Sequence, residues 1–277
     1  MMRNILSKIY LELINTGERP ILYTRFEEIE AVLQFAYKFA ESKIKDTDFV
    51  LDYGCGGGYG TEYLSRFTKR AVVGFDIDKN TIKKNIFFYN KNKNLEFTFN
   101  KNILTKYDVI TSFQVIEHID RENCEYYLTD IKNLLKNEGT FFLATVNKNI
   151  TSSGLKHPIM PFHIYEYRPM ELAEILEKYF LSVVCYGQID NESLRKMKEN
   201  GWSYEEKSRK MKDKILSLIS QFEIIRFIAR HLPVFLKKLF FCRESKNNAL
   251  AVNYKLTSEK EEIENSYITI YECKNAK

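Results

Sequence analysis

The sequence predicts an α/β fold built on a doubly wound, mostly parallel sheet, and three observations carry that expectation. Short apolar runs alternate with stretches of helical periodicity from Phe49 to Tyr186, a glycine-rich loop follows the first of those runs directly, and 277 residues suffice for one large domain with an appendage. Strands that alternate with helices of this length connect by right-handed crossovers, which places helices on both faces of the sheet.

The elements follow in order. Residues 26–44 place Ile29, Val32, Leu33, Ala36, Phe39 and Ala40 at helical spacing, so a leading helix with one buried face is expected. Apolar runs at 49–53 and 71–75 read as strands, each followed by a helical stretch, from Tyr59 and over 80–89; shorter strands are expected at 95–99 and 107–113. Residues 121–136 line up Cys124, Tyr127, Leu128, Ile131, Leu134 and Leu135 on one helical face, with Gly139 as the glycine that ends the helix before a strand over 139–146. Pro169 suits a helical first turn, with Leu172, Ile175, Leu176 and Tyr179 as the buried face, and 181–186 is the sixth strand. From Asp190 to about Lys246 the chain is helical in composition, with Pro233 as a break; alternation of period two returns at 267–271. Roughly 75 residues would then separate strands six and seven, far more than an ordinary connection needs.

Composition excludes several classes. Hydrophobic residues are 44% and charged residues 29%, with only 11 Gly and 5 Pro, so fibrous and extensively disordered chains are out. The greasiest stretch, 215–241, is interrupted by Arg226, Arg230, His231, Lys237 and Lys238, short of the roughly 18–20 apolar residues of a membrane span. Residues 1–14 have no separate apolar core or small-residue cleavage site, so a cytoplasmic protein is expected. Five scattered cysteines (55, 124, 185, 242, 273) suggest free thiols and no zinc site. The net charge of +5 is uneven: residues 191–247 hold 14 Lys/Arg and 7 Asp/Glu, or +7, leaving −2 elsewhere. A basic segment can face phosphate or an anionic membrane, or can simply be solvated.

The informative stretch is Val50-Leu51-Asp52-Tyr53-Gly54-Cys55-Gly56-Gly57-Gly58-Tyr59-Gly60, placed where a strand ends and a helix begins. Glycines there let the chain turn tightly and let a ligand approach the backbone. The next strand, Val72-Val73-Gly74-Phe75, is followed by Asp76, an acid positioned to accept both hydroxyls of a ribose. The dinucleotide fingerprint G-x-G-x-x-G fails, because its last position falls on Tyr59 or Thr61. The spacing is instead acid-x-G-x-G-x-G through Asp52, Gly54, Gly56 and Gly58.

With VLDYGCGGGYG (50–60), VVGFDID (72–78), YDVITSFQVIEHI (107–119) and LLKNEGTFFLATVN (134–147) in this order, the sequence resembles the class I S-adenosylmethionine-dependent methyltransferases. Within them it is most similar to those with a VIEHI signature, which act on small molecules, quinone precursors and bacterial glycans. The resemblance covers about 26–188 and the final strand, and implies a seven-stranded sheet whose seventh strand is antiparallel. It also implies a division into an N-terminal helical segment (1–44), a cofactor-binding core (45–188), a basic helical insertion (189–258) and a closing strand (259–277).

Residue by residue, the resemblance implies S-adenosylmethionine as cofactor, its methionine part held at Asp52, Gly54, Gly56 and Gly58 and its ribose at Asp76. Ile77 would pack on the adenine face. Asn102 and Ile103 occupy the adenine-edge position, where the family more often has Asp. Phe113 and Gln114 would offer backbone carbonyls to the cofactor amino group, and Arg25 could reach its carboxylate. His118 and His163 are the candidate catalytic bases, their pKa range suited to accepting a proton; for His118 packing or capping, and for His163 a hydrogen bond that fixes its loop, are the alternatives. Glu117, Asp120 and Glu122 lie close together without a diagnostic spacing, and no metal is expected.

The acceptor is expected to be a sugar or glycan precursor, on the similarity of the PFHIYEY block and the 229–239 segment to methyltransferases of bacterial polysaccharide and glycolipid pathways. A quinone-like aromatic acceptor, or a non-catalytic protein that keeps the fold, are the alternatives. The basic insertion fits a phosphorylated lipid carrier or an anionic membrane face. A nucleic-acid substrate is not expected, because Phe113-Gln114-Val115-Ile116 stands where amine-modifying DNA enzymes carry Pro-Pro with an aromatic.

Overall fold

The computed structural model describes residues 31–190, apart from 104, 159 and 161, and residues 254–275. Arg25, residues 26–30 of the stretch expected to be the leading helix, and nearly all of the expected insertion lie outside the described residues.

The elements run α1 (Ala31–Glu41), β1 (Val50–Tyr53), α2 (Tyr59–Leu64), β2 (Val72–Phe75), α3 (Lys79–Phe88), β3 (Leu95–Thr98), β4 (Tyr107–Phe113), α4 (Cys124–Leu134), β5 (Leu135–Val146), α5 (Lys148–Thr151), α6 (Pro169–Leu176), β6 (Ser182–Asp190), β7 (Tyr254–Thr257), α7 (Lys260–Glu264) and β8 (Ile268–Lys274). Short 3₁₀ turns at Lys101–Ile103, Ile116–His118 and Arg121–Asn123 punctuate the connections. The strands form one sheet in the order β3-β2-β1-β4-β5-β8-β6-β7. β1 is parallel to β2 and β4, β2 to β3, and β4 to β5. β8 is antiparallel to both β5 and β6.

Strand residues alternate between the two faces, apart from a register shift between Tyr107 and Val109 in β4. Leu51, Val73, Ile110, Phe141 and Leu143 pack against Leu128 and Ile131 of α4 and Leu172 and Leu176 of α6. Their neighbours Val50, Val72, Val109, Phe142 and Ala144 pack against Ala36, Tyr37 and Ala40 of α1 and Tyr63 and Leu64 of α2. A period of two with both phases apolar is what a sheet buried on both faces requires. The four described cysteines are free thiols.

Two expectations need correction. The sheet has eight strands and not seven, because β6 runs on to Asp190 and the end of the expected insertion returns to pair with it: β7 is antiparallel to β6 from Gly187↔Thr257 to Asp190↔Tyr254. Tyr254 and Leu256 are half-buried on either side of exposed Lys255, with Leu256 against the core, and the pairing with β6 makes this tetrapeptide part of the sheet and not of a helical cap. Gly139 does not end a helix. α4 stops at Leu134, Leu135 already has extended backbone (φ −87°, ψ 135°), and Gly139 lies inside β5. A Cβ there would stand 2.8 Å from the Leu135 side chain and 3.0 Å from the Asp108 carbonyl oxygen, so the glycine serves close approach of strands.

The chain steps outward from β1 to β3, then returns to lay β4 on the other side of β1. That reversal opens a crevice at the carboxyl ends of β1 and β4, the position where open α/β sheets take their ligands.

Candidate active site

The loop after β1 turns through three left-handed glycines, Gly54 (φ 83°), Gly56 (φ 50°) and Gly58 (φ 78°). A side chain at any of them would be strained, and Gly54 has a second reason: a Cβ would lie 2.4 Å from Val115 Cγ2, which reaches across from the end of β4. Val115 is brought there by Gln114, whose own backbone is left-handed (φ 56°) and whose N–H donates to the Ala144 carbonyl at 2.8 Å. The predicted pair Phe113 and Gln114 thus sits at the crevice, opposite the glycine loop.

Asp76, at the end of β2, is buried and joined to that loop. Its Oδ2 accepts from the Gly56 N–H at 3.0 Å, and its Oδ1 accepts from the Asp78 N–H at 2.9 Å. The loop is pinned further by Asn85, whose Nδ2 donates to the Gly56 carbonyl at 2.7 Å, and by the Gly54 and Cys55 N–H groups, which donate to the Phe75 carbonyl. Beside Asp76, Ile77 is 85% exposed at a strand end, an apolar face of the kind an adenine ring would cover. Asn102 is exposed on the 3₁₀ turn, its N–H donating to Asn100 Oδ1 at 3.1 Å; the side chain of Ile103 lies outside the described residues. Glycine loop, ribose-type acid and apolar wall fit an adenosyl cofactor in kind and in order along the sheet edge.

Asp52 differs from the rest of this group. Its carboxylate is 1% exposed and is engaged within the protein, accepting from Thr61 Oγ1 at 2.8 Å, Thr111 Oγ1 at 2.9 Å and the Tyr37 hydroxyl at 3.3 Å. Burial pushes its pKa up to about 6, against the lowering effect of those three hydroxyls. It ties β1 to α2, β4 and α1, and so sets the loop it precedes. Tyr37 comes from the leading helix and packs against Gly60, where a Cβ would meet the ring at 2.0 Å.

Beyond β4, the two predicted histidines come together. The His118 and His163 rings meet edge to face with centroids 5.2 Å apart, and one potential ligand atom from each of Glu117, His118 and His163 falls within 4.8 Å of the others. Glu117 is fully buried; its Oε2 accepts from Thr145 Oγ1 at 2.9 Å, and its Oε1 has no hydrogen-bond partner among the described residues. His118 Nδ1 lies 3.2 Å from the Phe162 carbonyl and His163 Nδ1 lies 2.6 Å from Glu166 Oε1. The loop itself is held on this site, since the Ile164 and Tyr165 N–H groups donate to the Glu117 carbonyl at 2.7 and 3.2 Å. Two imidazoles and a carboxylate form a donor set that a divalent cation accepts. The run Glu117, Asp120, Glu122 does not supply it: the cluster among the described residues holds neither Asp120 nor Glu122.

Sequence reasoning missed Glu166, Thr145 and Tyr37. A charged residue three positions after His163 inside an aromatic block was the signal for Glu166. Nothing in the local sequence marked Thr145 or Tyr37, whose roles arise from contacts 28 and 15 residues away.

Comparison with known proteins bears on the family and the fold. A relative from Mycolicibacterium smegmatis, named a probable S-adenosylmethionine-dependent methyltransferase, is 32% identical over 130 residues, 46% of this chain and 49% of its own. A ubiquinone biosynthesis O-methyltransferase from Pelagibacter ubique is 27% identical over 175 residues, 57% of this chain and 71% of its own. The chain therefore spans about half the length of the first relative. Among solved structures, the YcgJ protein of Bacillus subtilis aligns with a TM-score of 0.51 at 14% identity, over 87% of this chain and 98% of its own. The PH0226 protein of Pyrococcus horikoshii also gives 0.51, at 16% identity, over 66% and 94%. These two show the fold. The methyltransferase domain family matches residues 22–186, from ahead of α1 into β6, and on that match the chain belongs to the class I S-adenosylmethionine-dependent methyltransferases.

Proposed function

We propose that this chain transfers the methyl group of S-adenosylmethionine to a hydroxyl or amine of a small molecule, in the crevice between the glycine loop and the Glu117–His118–His163 cluster. The observation that carries the reading is the junction of Asp76 with the left-handed glycine loop, Gly56 N–H to Asp76 Oδ2 at 3.0 Å, beside the exposed Ile77. Asp52 acts here from beneath, holding the loop in shape.

The donor is a sulfonium. As the acceptor atom attacks the methyl carbon, the carbon–sulfur bond breaks, its electron pair stays on sulfur as a neutral thioether, and the acceptor's proton passes to a base. Alignment of nucleophile, methyl and sulfur can supply about 7–11 kcal/mol. A positioned base adds about 10²–10⁴-fold for a hydroxyl. His118 and His163 are that base pair in this reading, with buried Glu117 beside them to stabilise positive charge on an imidazole.

A second use of the same cluster is favoured by the orphaned Glu117 Oε1. Glu117, His118 and His163 would hold a divalent cation, which when bound supplies Lewis-acid polarisation of an acceptor hydroxyl.

For the acceptor, a sugar or glycan precursor is one class, supported by the aromatic loop 162–167 over the site; a quinone-like aromatic is the other, supported by the name of the Pelagibacter relative. The basic segment would serve a phosphorylated carrier or an anionic membrane face. Among the described residues no helix is long and apolar enough to cross a membrane.

Calorimetry with S-adenosylmethionine or its demethylated product tests the cofactor site. Binding is expected, and Asp76→Asn should weaken it at least about 10-fold by losing a charge-assisted pair of bonds; equal affinity for both proteins would remove Asp76 from the site. Intact-mass analysis of hydroxylated sugars and quinone precursors after incubation with labelled cofactor then separates the acceptor classes.

A further inference from the structure

Glu166 is a buried carboxylate that holding the cofactor does not call for. It is 1% exposed and lies on the loop between α5 and α6, yet every contact given for its carboxylate is a donor aimed at it. Oε1 receives His163 Nδ1 at 2.6 Å, and Oε2 receives the hydroxyls of Thr151, at 2.5 Å, and Ser152. Three donors converge on an ion that can only accept, so the proton between Glu166 and His163 sits on Nδ1.

His118 meets the same constraint by other means. Its Nδ1 faces the Phe162 carbonyl at 3.2 Å, and a carbonyl oxygen accepts only, so there too the proton is on Nδ1. A neutral imidazole in water prefers the opposite arrangement, with the proton on Nε2. Both histidines of the cluster are therefore set against their intrinsic preference, one by backbone and one by a dedicated carboxylate.

We propose that Glu166 is the positioning residue of this site: it fixes His163 in the Nδ1–H tautomer, which leaves the ring's lone pair on Nε2, and Thr151 and Ser152 fix Glu166 in turn. The inference rests on the proposed function only for its use, since proton acceptance and cation ligation both need that lone pair. The tautomer itself follows from the contacts. The anchor is remote in kind from the chemistry: Thr151 closes α5, whose N-cap Asn147 is tied by its Nδ2 to the Ser266 carbonyl at 2.8 Å, so the imidazole is referenced to the antiparallel side of the sheet. Second-sphere carboxylates of this kind are worth about 10–100-fold in activity or affinity.

Long-range ¹H–¹⁵N correlation on the ¹⁵N-labelled protein reads the tautomer directly, with the His163 signals assigned by their loss in His163→Gln. For the native protein, Nδ1 is expected in the protonated range and Nε2 in the unprotonated range. In Glu166→Gln the amide can donate to Nδ1, so the pattern should reverse, and kcat should drop about 10–100-fold with affinity for S-adenosylmethionine unchanged. An Nε2–H tautomer in the native protein overturns the proposal, as does a Glu166→Gln variant that keeps both tautomer and kcat. If that variant fails to fold, the native spectrum still decides. Absence of cofactor binding by the native protein would defeat the methyl-transfer reading and leave the tautomer result standing.

Discussion

Asp52→Asn should change how the stability of this protein depends on pH, and the size of the change can be worked out beforehand. Asp52 is wholly buried, and burial lifts its pKa from 3.8 to about 6 despite three hydroxyl donors. A raised folded-state pKa means the folded protein holds the proton more tightly than the unfolded chain does. The resulting stability is fully present below pH 3.8 and is lost as pH rises through about 6. A shift of roughly two units at 1.36 kcal/mol each makes the loss about 3 kcal/mol by pH 7. Asn cannot ionise, so the variant lacks this slope. It carries instead a pH-independent offset, because Thr61, Thr111 and Tyr37 must reorient toward an amide. Urea unfolding of both proteins without cofactor, at intervals from pH 4 to 7, measures the difference. The variant's stability relative to the native protein should climb by about 2 kcal/mol across that range, since part of the effect is already lost at pH 4. Parallel curves would show that Asp52 does not titrate in the folded state as its burial requires.

Two further outcomes concern the loop and the cluster. Gly60→Ala places a methyl 2.0 Å from the Tyr37 ring, which must leave Asp52; a loss of about 1–3 kcal/mol in thermal or urea unfolding is expected, and full stability would mean that Tyr37 yields without cost. If Glu117, His118 and His163 hold a cation in use, turnover should collapse on treatment with a chelator and return with added divalent ion; turnover indifferent to chelation would leave the histidines as bases alone.

The glycine loop was legible before any coordinates because its requirement is local. A backbone that must pass through φ values of 83°, 50° and 78° within five residues admits little but glycine, and the acid after β2 is fixed by strand length. The alternation Val50/Leu51, Val72/Val73 and Val109/Ile110 likewise declared a sheet buried on both faces. His118 and His163 could be picked out singly. Their meeting could not, since 44 residues and three elements, α4, β5 and α5, lie between them. Nor could the eighth strand: Tyr254-Lys255-Leu256-Thr257 is too short to announce itself, and it is a strand because β6 offers it an edge.

What the sequence by itself determined, then, was the alternation of the first six strands with helices, the glycine loop and a nucleoside-type kind of cofactor, all consequences of steric rules and periodicities acting within a few residues. Tertiary structure alone decided that Asp52 faces inward to three hydroxyls, that Glu117 keeps one oxygen unsatisfied, and that Glu166 sets the tautomer of His163. Those assignments depend on which groups are buried together, and burial is a property of the packed chain: the same carboxylate in water would show neither the shifted pKa nor the fixed partner.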